Sequence, residues 1–187
     1  MKKLSIRQIT LKKISKRNDL DSFINFIKNK NNPSDKELKQ VIKLMKEQIK
    51  KDPAILKKFK EYNVPINAID DVDVSFAPLD VSAKTKDKKI YLNESMLCSD
   101  SKVKDPTQYL AHEIVHFCQQ LTGNTKGHEK SEYLDKDTEQ EAFKVQVDFK
   151  KRNEGEDEAE KYVDDLLDYH KLKGKKRKEI EDKIDPE

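Results

Sequence analysis

The most informative residues of this chain are His112 to His116, which have the spacing H-E-x-x-H. On an α-helix, positions four residues apart lie on the same face, so both imidazoles can reach one metal ion. Glu113 follows His112 by one residue and is therefore rotated from it by about 100°. Its carboxylate can contact a water molecule bound to that metal instead of the metal itself. The pattern predicts a hydrolytic zinc site with His112 and His116 as ligands and Glu113 as the general base.

The surrounding sequence favours a helix that presents the two histidines on one side. The run from Thr107 to Leu121 contains no Gly or Pro, and Asp105-Pro106 before it and Gly123 after it are typical of helix ends. An advance of about 100° per residue gives a polar face and an opposite apolar face. The polar face holds Tyr109, His112, His116 and Gln119, and the apolar face holds Leu110, Ile114, Phe117, Cys118 and Leu121. This segregation argues against two unrelated histidines.

Catalytic zinc sites usually have three protein ligands, so a third ligand is expected further along the chain. The extended pattern H-E-x-x-H-x-x-G-x-x-H would require Gly at position 119 and His at position 122. The chain has Gln119 and Thr122 there, which excludes that class of site. The other common arrangement takes a Glu or His from a second helix packed against the first.

Such a second helix is predicted from about Thr138 to Lys151. We expect Glu141 to be the third ligand, because it lies beside Ala142, and Ala142 is on the predicted buried side. Thr138 and Glu141 also fit the capping-box pattern, so Glu141 could instead cap its own helix. Glu139 and His128 remain the alternative ligands.

The stretches HEIVHFCQQ and EYLDKDTEQEAF together resemble small zinc metallopeptidases of the gluzincin group, of the minimal or mobile-element-encoded type. The resemblance covers roughly residues 70–152. It implies that His112, His116 and Glu141 match the zinc ligands and that Glu113 matches the general base. It also implies an α+β fold, namely a mostly helical zincin-like domain with a small antiparallel sheet before the HExxH helix.

Two further features follow from the resemblance. A strand before the metal helix would form the rim of the cleft and pair with an extended substrate, and we assign this edge strand to Lys89, Ile90, Tyr91, Leu92 and Asn93. Larger gluzincins supply transition-state donors from a C-terminal domain that this chain has no room for. Tyr133 and His128 are the local substitutes that we consider.

Three regions are expected along the chain. Residues 1–66 form a basic helical region that packs on or covers the catalytic unit, residues 67–152 form the zincin-like core, and residues 153–187 form a charged helical tail. Within the first region, a short strand is expected around Ile9–Leu11. The alternating pattern of residues 72–76 and the segments 81–85 and 89–92 are typical of strands.

Composition limits the other properties of the protein. The chain of 187 residues is 40% charged, lacks Trp and has a net charge of +3. No segment has the apolar length of a membrane span or a signal peptide, so a cytoplasmic protein is expected. The basic cluster of residues 171–178 has no interleaved aromatic residues, which argues against nucleic acid as a partner. Cys98 and Cys118 are isolated thiols without disulfide spacing.

The sequence therefore predicts a zinc metalloendopeptidase that acts on a protein or peptide. Two alternatives remain open at this stage. One is an inactive zincin-fold binding protein whose basic helices hold a nucleic acid or protein partner. The other is a latent peptidase whose terminal helices cover the cleft.

Overall fold

The computed structural model describes residues 17–30, 32–124 and 132–185. The strand predicted around Ile9–Leu11 and the candidate residue His128 lie outside these ranges. The helices are α1 (Arg17–Lys28), α2 (Asp35–Ile49), α3 (Pro53–Glu61), α4 (Ala68–Asp71), α5 (Thr107–Thr122), α6 (Asp137–Glu154), α7 (Glu156–Tyr169) and α8 (Gly174–Ile184). The strands are β1 (Asp73–Ala77), β2 (Ala83–Lys86) and β3 (Lys89–Asn93), and two short 3-10 helices span Glu94–Leu97 and Tyr133–Asp135.

The fold is mostly helical with one small sheet before the HExxH helix, which confirms the predicted α+β class. The strand order is β1-β3-β2. Strand β3 pairs antiparallel with β2 and parallel with β1, so the sheet is mixed and the prediction of a purely antiparallel sheet is wrong. The sequence predicted the hairpin of β2 and β3 from two strand-like segments separated by a short polar turn, and in the structure the turn residues Asp87 and Lys88 both have positive φ. It could not predict where β1 would join.

Local signals place both ends of the HExxH helix. Asp105 Oδ1 accepts a hydrogen bond from the backbone N–H of Thr107 at 2.8 Å, which satisfies one free donor at the start of α5. At the other end, Gly123 adopts φ 71°, the left-handed conformation that ends helices without a Cβ penalty. Between these two ends the helix is uninterrupted, so its periodicity places His112 and His116 on the same side.

The apolar side chains form two clusters on opposite sides of α6. The larger cluster joins α1, α2 and α3 to the sheet, to α5 and to one side of α6, which contributes Ala142, Val145 and Phe149. The smaller cluster joins α7 and α8 to the other side of α6 through Phe143 and Val147. Helix α6 is therefore the central helix, and it is buried on two faces.

Among the helices in the described ranges, none has the length and apolar character needed to cross a membrane.

Candidate metal centre and active-site cleft

Helix α5 presents its two histidines toward α6 on a largely buried surface. His112 is 5% exposed, and its ring lies edge-on to Phe143 of α6 with centroids 4.5 Å apart. The His116 ring lies against His112, with centroids 4.8 Å apart. The predicted apolar side of α5 is confirmed for Leu110, Ile114, Phe117 and Cys118, whereas Leu121 near the helix end is 38% exposed.

Glu139 completes a group of three ligand atoms with these histidines. Its Oε2 atom lies 3.5 Å from His112 Nε2 and 3.3 Å from His116 Nε2, and the two Nε2 atoms are 3.1 Å apart. Atoms about 2.0–2.1 Å from a tetrahedral zinc ion are roughly 3.3–3.4 Å from one another, so this spacing fits three ligands of one ion. We call His112, His116 and Glu139 the metal-ligand cluster.

The pKa values and contacts of the cluster fit the binding of a cation. Burial acts to raise the pKa of Glu139, but the two histidines, whose Nε2 atoms lie 3.5 and 3.3 Å from its Oε2 atom, outweigh burial and hold that pKa well below its usual value. Burial acts to lower the pKa of His116, but Glu139 and the nearby Glu113 raise it overall. Among the described residues, Glu139 Oε2 and His112 Nδ1 are buried without a hydrogen-bond partner. An anionic oxygen with no donor is a position that a metal ion would satisfy.

The structure corrects the prediction for Glu141, which points away from the metal-ligand cluster. Its Oε1 atom lies 2.7 Å from Lys58 Nζ, and its Oε2 atom accepts hydrogen bonds from the Tyr62 hydroxyl and from Gln119 Nε2, the latter at 2.9 Å. Glu141 does not cap its helix either, because α6 begins at Asp137 with Lys136 as the N-cap and no side-chain cap bond. The apolar pattern indicated that Ala142 is buried, but it did not show that the Glu139 side chain reaches the two histidines of α5.

Glu113 is placed beside the cluster by α5 and oriented by the sheet. It is 5% exposed and lines the same cleft as His112. The Thr85 hydroxyl of β2 lies 2.6 Å from Glu113 Oε2, to which it donates a hydrogen bond. Sequence reasoning did not select Thr85, because its contact with Glu113 depends on how β2 packs on α5.

The cleft has a volume of about 720 Å³ and runs past His112 and Glu113. One wall is the segment 80–83, and the other is formed by α7 and Tyr133. Tyr133 is one of the two predicted transition-state donors, and 44% of the residue is exposed. Burial of its hydroxyl group, together with the charge of Glu139, raises the pKa of that hydroxyl. The other, His128, lies outside the described residues.

His170 also lines the cleft, although the sequence analysis did not select it. Its ring stacks on the Tyr133 ring with centroids 5.6 Å apart and an interplanar angle of 13°. Burial lowers the pKa of His170, which favours the neutral imidazole. No motif could have indicated this residue, since only the packing of α7 brings it to the cleft.

The strand predicted as a substrate-binding edge is the central strand of the sheet, so the prediction that it is an edge is wrong. Residues 89–93 form β3, whose backbone is paired on both sides and whose Ile90 and Leu92 are fully buried. Asn93 supports the cleft wall, since its Nδ2 atom donates to the backbone oxygens of Leu79 and Val81 at 2.8 and 2.9 Å. In the described part of the chain, the strand edge that lies beside Glu113 belongs to β2 (Ala83–Lys86).

Comparison with known proteins gives a family for the chain. The family model Peptidase_M91, described as "Effector protein", matches residues 6–166. The match covers the sheet, α5, the metal-ligand cluster and most of α7. No curated protein and no solved structure matches the chain. The matched range spans well over half of the sequence, and the chain belongs to the Peptidase_M91 family of effector proteins.

Proposed function

We propose that this protein is a zinc-dependent metalloendopeptidase of the gluzincin type. The observation that supports this most directly is the metal-ligand cluster, whose three atoms have tetrahedral spacing. Its His112 lines an open cleft together with Glu113. Two imidazole nitrogens and one carboxylate oxygen are a donor set of catalytic zinc sites that leave one position for water. Membership of a peptidase family favours hydrolysis over a binding protein that only retains the fold.

Each residue of the site has a separate role in the proposed hydrolysis of a peptide bond. A zinc ion held by His112, His116 and Glu139 would polarise the scissile carbonyl and lower the pKa of a water molecule. Glu113 accepts the proton of the attacking water and then delivers it to the leaving nitrogen. Tyr133 and His170 stand at the cleft wall, where their polar hydrogens can reach a substrate oxygen. An extended protein or peptide substrate would add to the edge of β2 through main-chain hydrogen bonds.

The terminal helices are proposed as parts of the catalytic unit rather than as removable covers. Helices α1, α2 and α3 share the larger apolar cluster with α5, and α7 forms a wall of the cleft. The contacts of Arg177 in α8 also support a structural role. Arg177 contacts Asp164 and Asp168 of α7 at 2.6 and 2.5 Å, so its charge is used within the fold.

The proposal is tested by metal content and hydrolysis together. We expect purified protein to hold about one zinc ion per chain by elemental analysis and to cleave a general substrate such as casein. Removal of zinc with 1,10-phenanthroline should abolish cleavage, and added zinc should restore it. Protein that contains no zinc after exposure to equimolar zinc and desalting would contradict the proposed metal site.

Thr85 should contribute to the rate without binding the metal. A hydrogen bond to a charged group contributes about 1.5–3 kcal/mol, so loss of the bond that orients Glu113 should lower kcat by about tenfold or more. We expect this loss for Thr85→Val, which keeps the shape of the side chain and its preference for a strand, with zinc content unchanged. Thr85→Ser retains the hydroxyl and serves as the matched control. Equal kcat for Thr85→Val, Thr85→Ser and wild type would show that Thr85 does not orient the base.

A further inference from the structure

The imidazole of His116 is held on the side away from the metal-ligand cluster. Its Nδ1 atom lies 2.7 Å from Gln119 Oε1. The amide nitrogen of Gln119 donates to the backbone oxygen of Thr138 at 3.1 Å and to Glu141 Oε2 at 2.9 Å. Both of these partners can only accept, so the amide nitrogen must face them and Oε1 must face His116. His116 Nδ1 is then the protonated nitrogen, and the Nε2 lone pair points into the cluster.

Glu141 is itself held by the N-terminal half of the chain. Lys58 at the end of α3 and Tyr62, which caps that helix, both donate to its carboxylate. Together with the Gln119 amide, three donors converge on this carboxylate, whose oxygens act as the acceptors. These contacts keep the Gln119 amide in one orientation.

Helix α3 is attached to α6 at a second point, near its other end. Arg152 of α6 donates to both carboxylate oxygens of Asp52, the N-cap of α3, with distances of 2.8 and 3.1 Å. This ion pair lies at the C-terminal end of α6, whereas Glu141 lies at its N-terminal end. The two attachments can therefore be broken separately, which allows helix packing to be distinguished from an effect on His116.

We infer that Gln119 and Glu141 are positioning residues for His116, and that Lys58 and Tyr62 hold Glu141 in that role. This inference rests on the proposed function, because positioning matters only if His116 binds a metal. The chain of contacts selects the Nδ1–H tautomer and fixes the ring plane, both of which set the basicity and aim of the ligand nitrogen. In this role Glu141 is neither a metal ligand nor a helix cap. Helix α3 then supports the metal centre through Lys58 and Tyr62.

The first experiment measures zinc affinity by competition with a chromophoric chelator, using the full chain. Partners of this kind typically affect metal affinity by about 10–100-fold, so Gln119→Leu should weaken zinc binding within that range. Glu141→Gln should reduce zinc affinity less, because the introduced amide can donate as well as accept and no longer fixes the orientation of Gln119. Tyr62→Phe should reduce zinc affinity less than Glu141→Gln. Arg152→Gln is the control. It breaks the other attachment of α3 and should lower Tm while zinc affinity stays at the wild-type value.

The second experiment reads the tautomer directly. Two-bond ¹H–¹⁵N correlation spectra of metal-free protein, at a pH where the imidazole is neutral, should show His116 protonated on Nδ1. In Gln119→Leu and Glu141→Gln the same spectra should show a mixture of tautomers, whereas Arg152→Gln should match wild type. A helix-packing role for Glu141 would not change these signals.

The outcomes separate this inference from the proposed function. Wild-type zinc affinity in both Gln119→Leu and Glu141→Gln, with an unchanged tautomer, would overturn it. If Gln119→Leu does not fold, Glu141→Gln and Tyr62→Phe decide the question in the same way. If wild-type protein binds no zinc, the proposed metal site fails, while the tautomer of His116 in the metal-free variants still tests the positioning.

Discussion

Glu113→Gln is expected to abolish peptide hydrolysis while zinc content and Tm remain close to wild type. The amide keeps the size of the side chain and can still contact Thr85, but it cannot accept the proton of the attacking water. General acid–base groups typically contribute about 10²–10⁴-fold to a rate, so kcat/KM should fall by at least about a hundredfold. The measurement is steady-state hydrolysis of a fluorogenic peptide or casein, with zinc determined on the same samples.

The matched control for this variant is Glu160→Gln. Glu160 is an exposed residue of α7 that does not line the cleft, so the same change of charge there should leave hydrolysis unaffected. If Glu113→Gln has the zinc content of wild type, its loss of hydrolysis comes from loss of the general base and not from loss of the metal. Undiminished hydrolysis by Glu113→Gln would remove Glu113 from the proposed mechanism.

Glu139→Ala should produce the largest loss of zinc affinity caused by any single acidic residue. Glu139 Oε2 is the only carboxylate oxygen that the described part of the chain places in the metal-ligand cluster. Loss of a partner that merely supports a ligand costs about 10–100-fold, so loss of a ligand itself should exceed about a hundredfold. We would measure the zinc retained after dialysis against a mild chelator such as picolinate, followed by competition titration.

Two variants complete this test. Glu132→Ala removes an exposed carboxylate a few residues before Glu139 and should retain zinc. Glu141→Ala should lose less affinity than Glu139→Ala, because it acts only through Gln119. If Glu141→Ala released zinc and Glu139→Ala retained it, the original sequence prediction of Glu141 as the ligand would be correct and the assignment of Glu139 would be wrong.

The sequence alone determined the features that depend on neighbouring residues. Helix periodicity places His112 and His116 on one face. Asp105 accepts a hydrogen bond from a free backbone N–H at the start of their helix, and Gly123 adopts the left-handed conformation that ends it. The short hairpin also follows from local pattern, because Lys86 to Lys88 permit a tight turn between β2 and β3. Each of these features involves residues a few positions apart, whose geometry is set by the regular backbone.

Tertiary structure decided which of two glutamates joins the histidines. Glu139 and Glu141 are separated by about 200° around α6, and either can be half-buried, because α6 packs against α5 on one side and against α7 and α8 on another. The apolar residues showed that α6 is buried, but periodicity cannot tell which neighbour covers which face. The same limit explains why β3 was mistaken for an edge strand, because the local pattern identified it as a strand but did not show which strands pair with it. It also explains Thr85, Gln119 and His170, whose roles come from contacts between elements distant in sequence, and such contacts leave no periodic signal in a single chain.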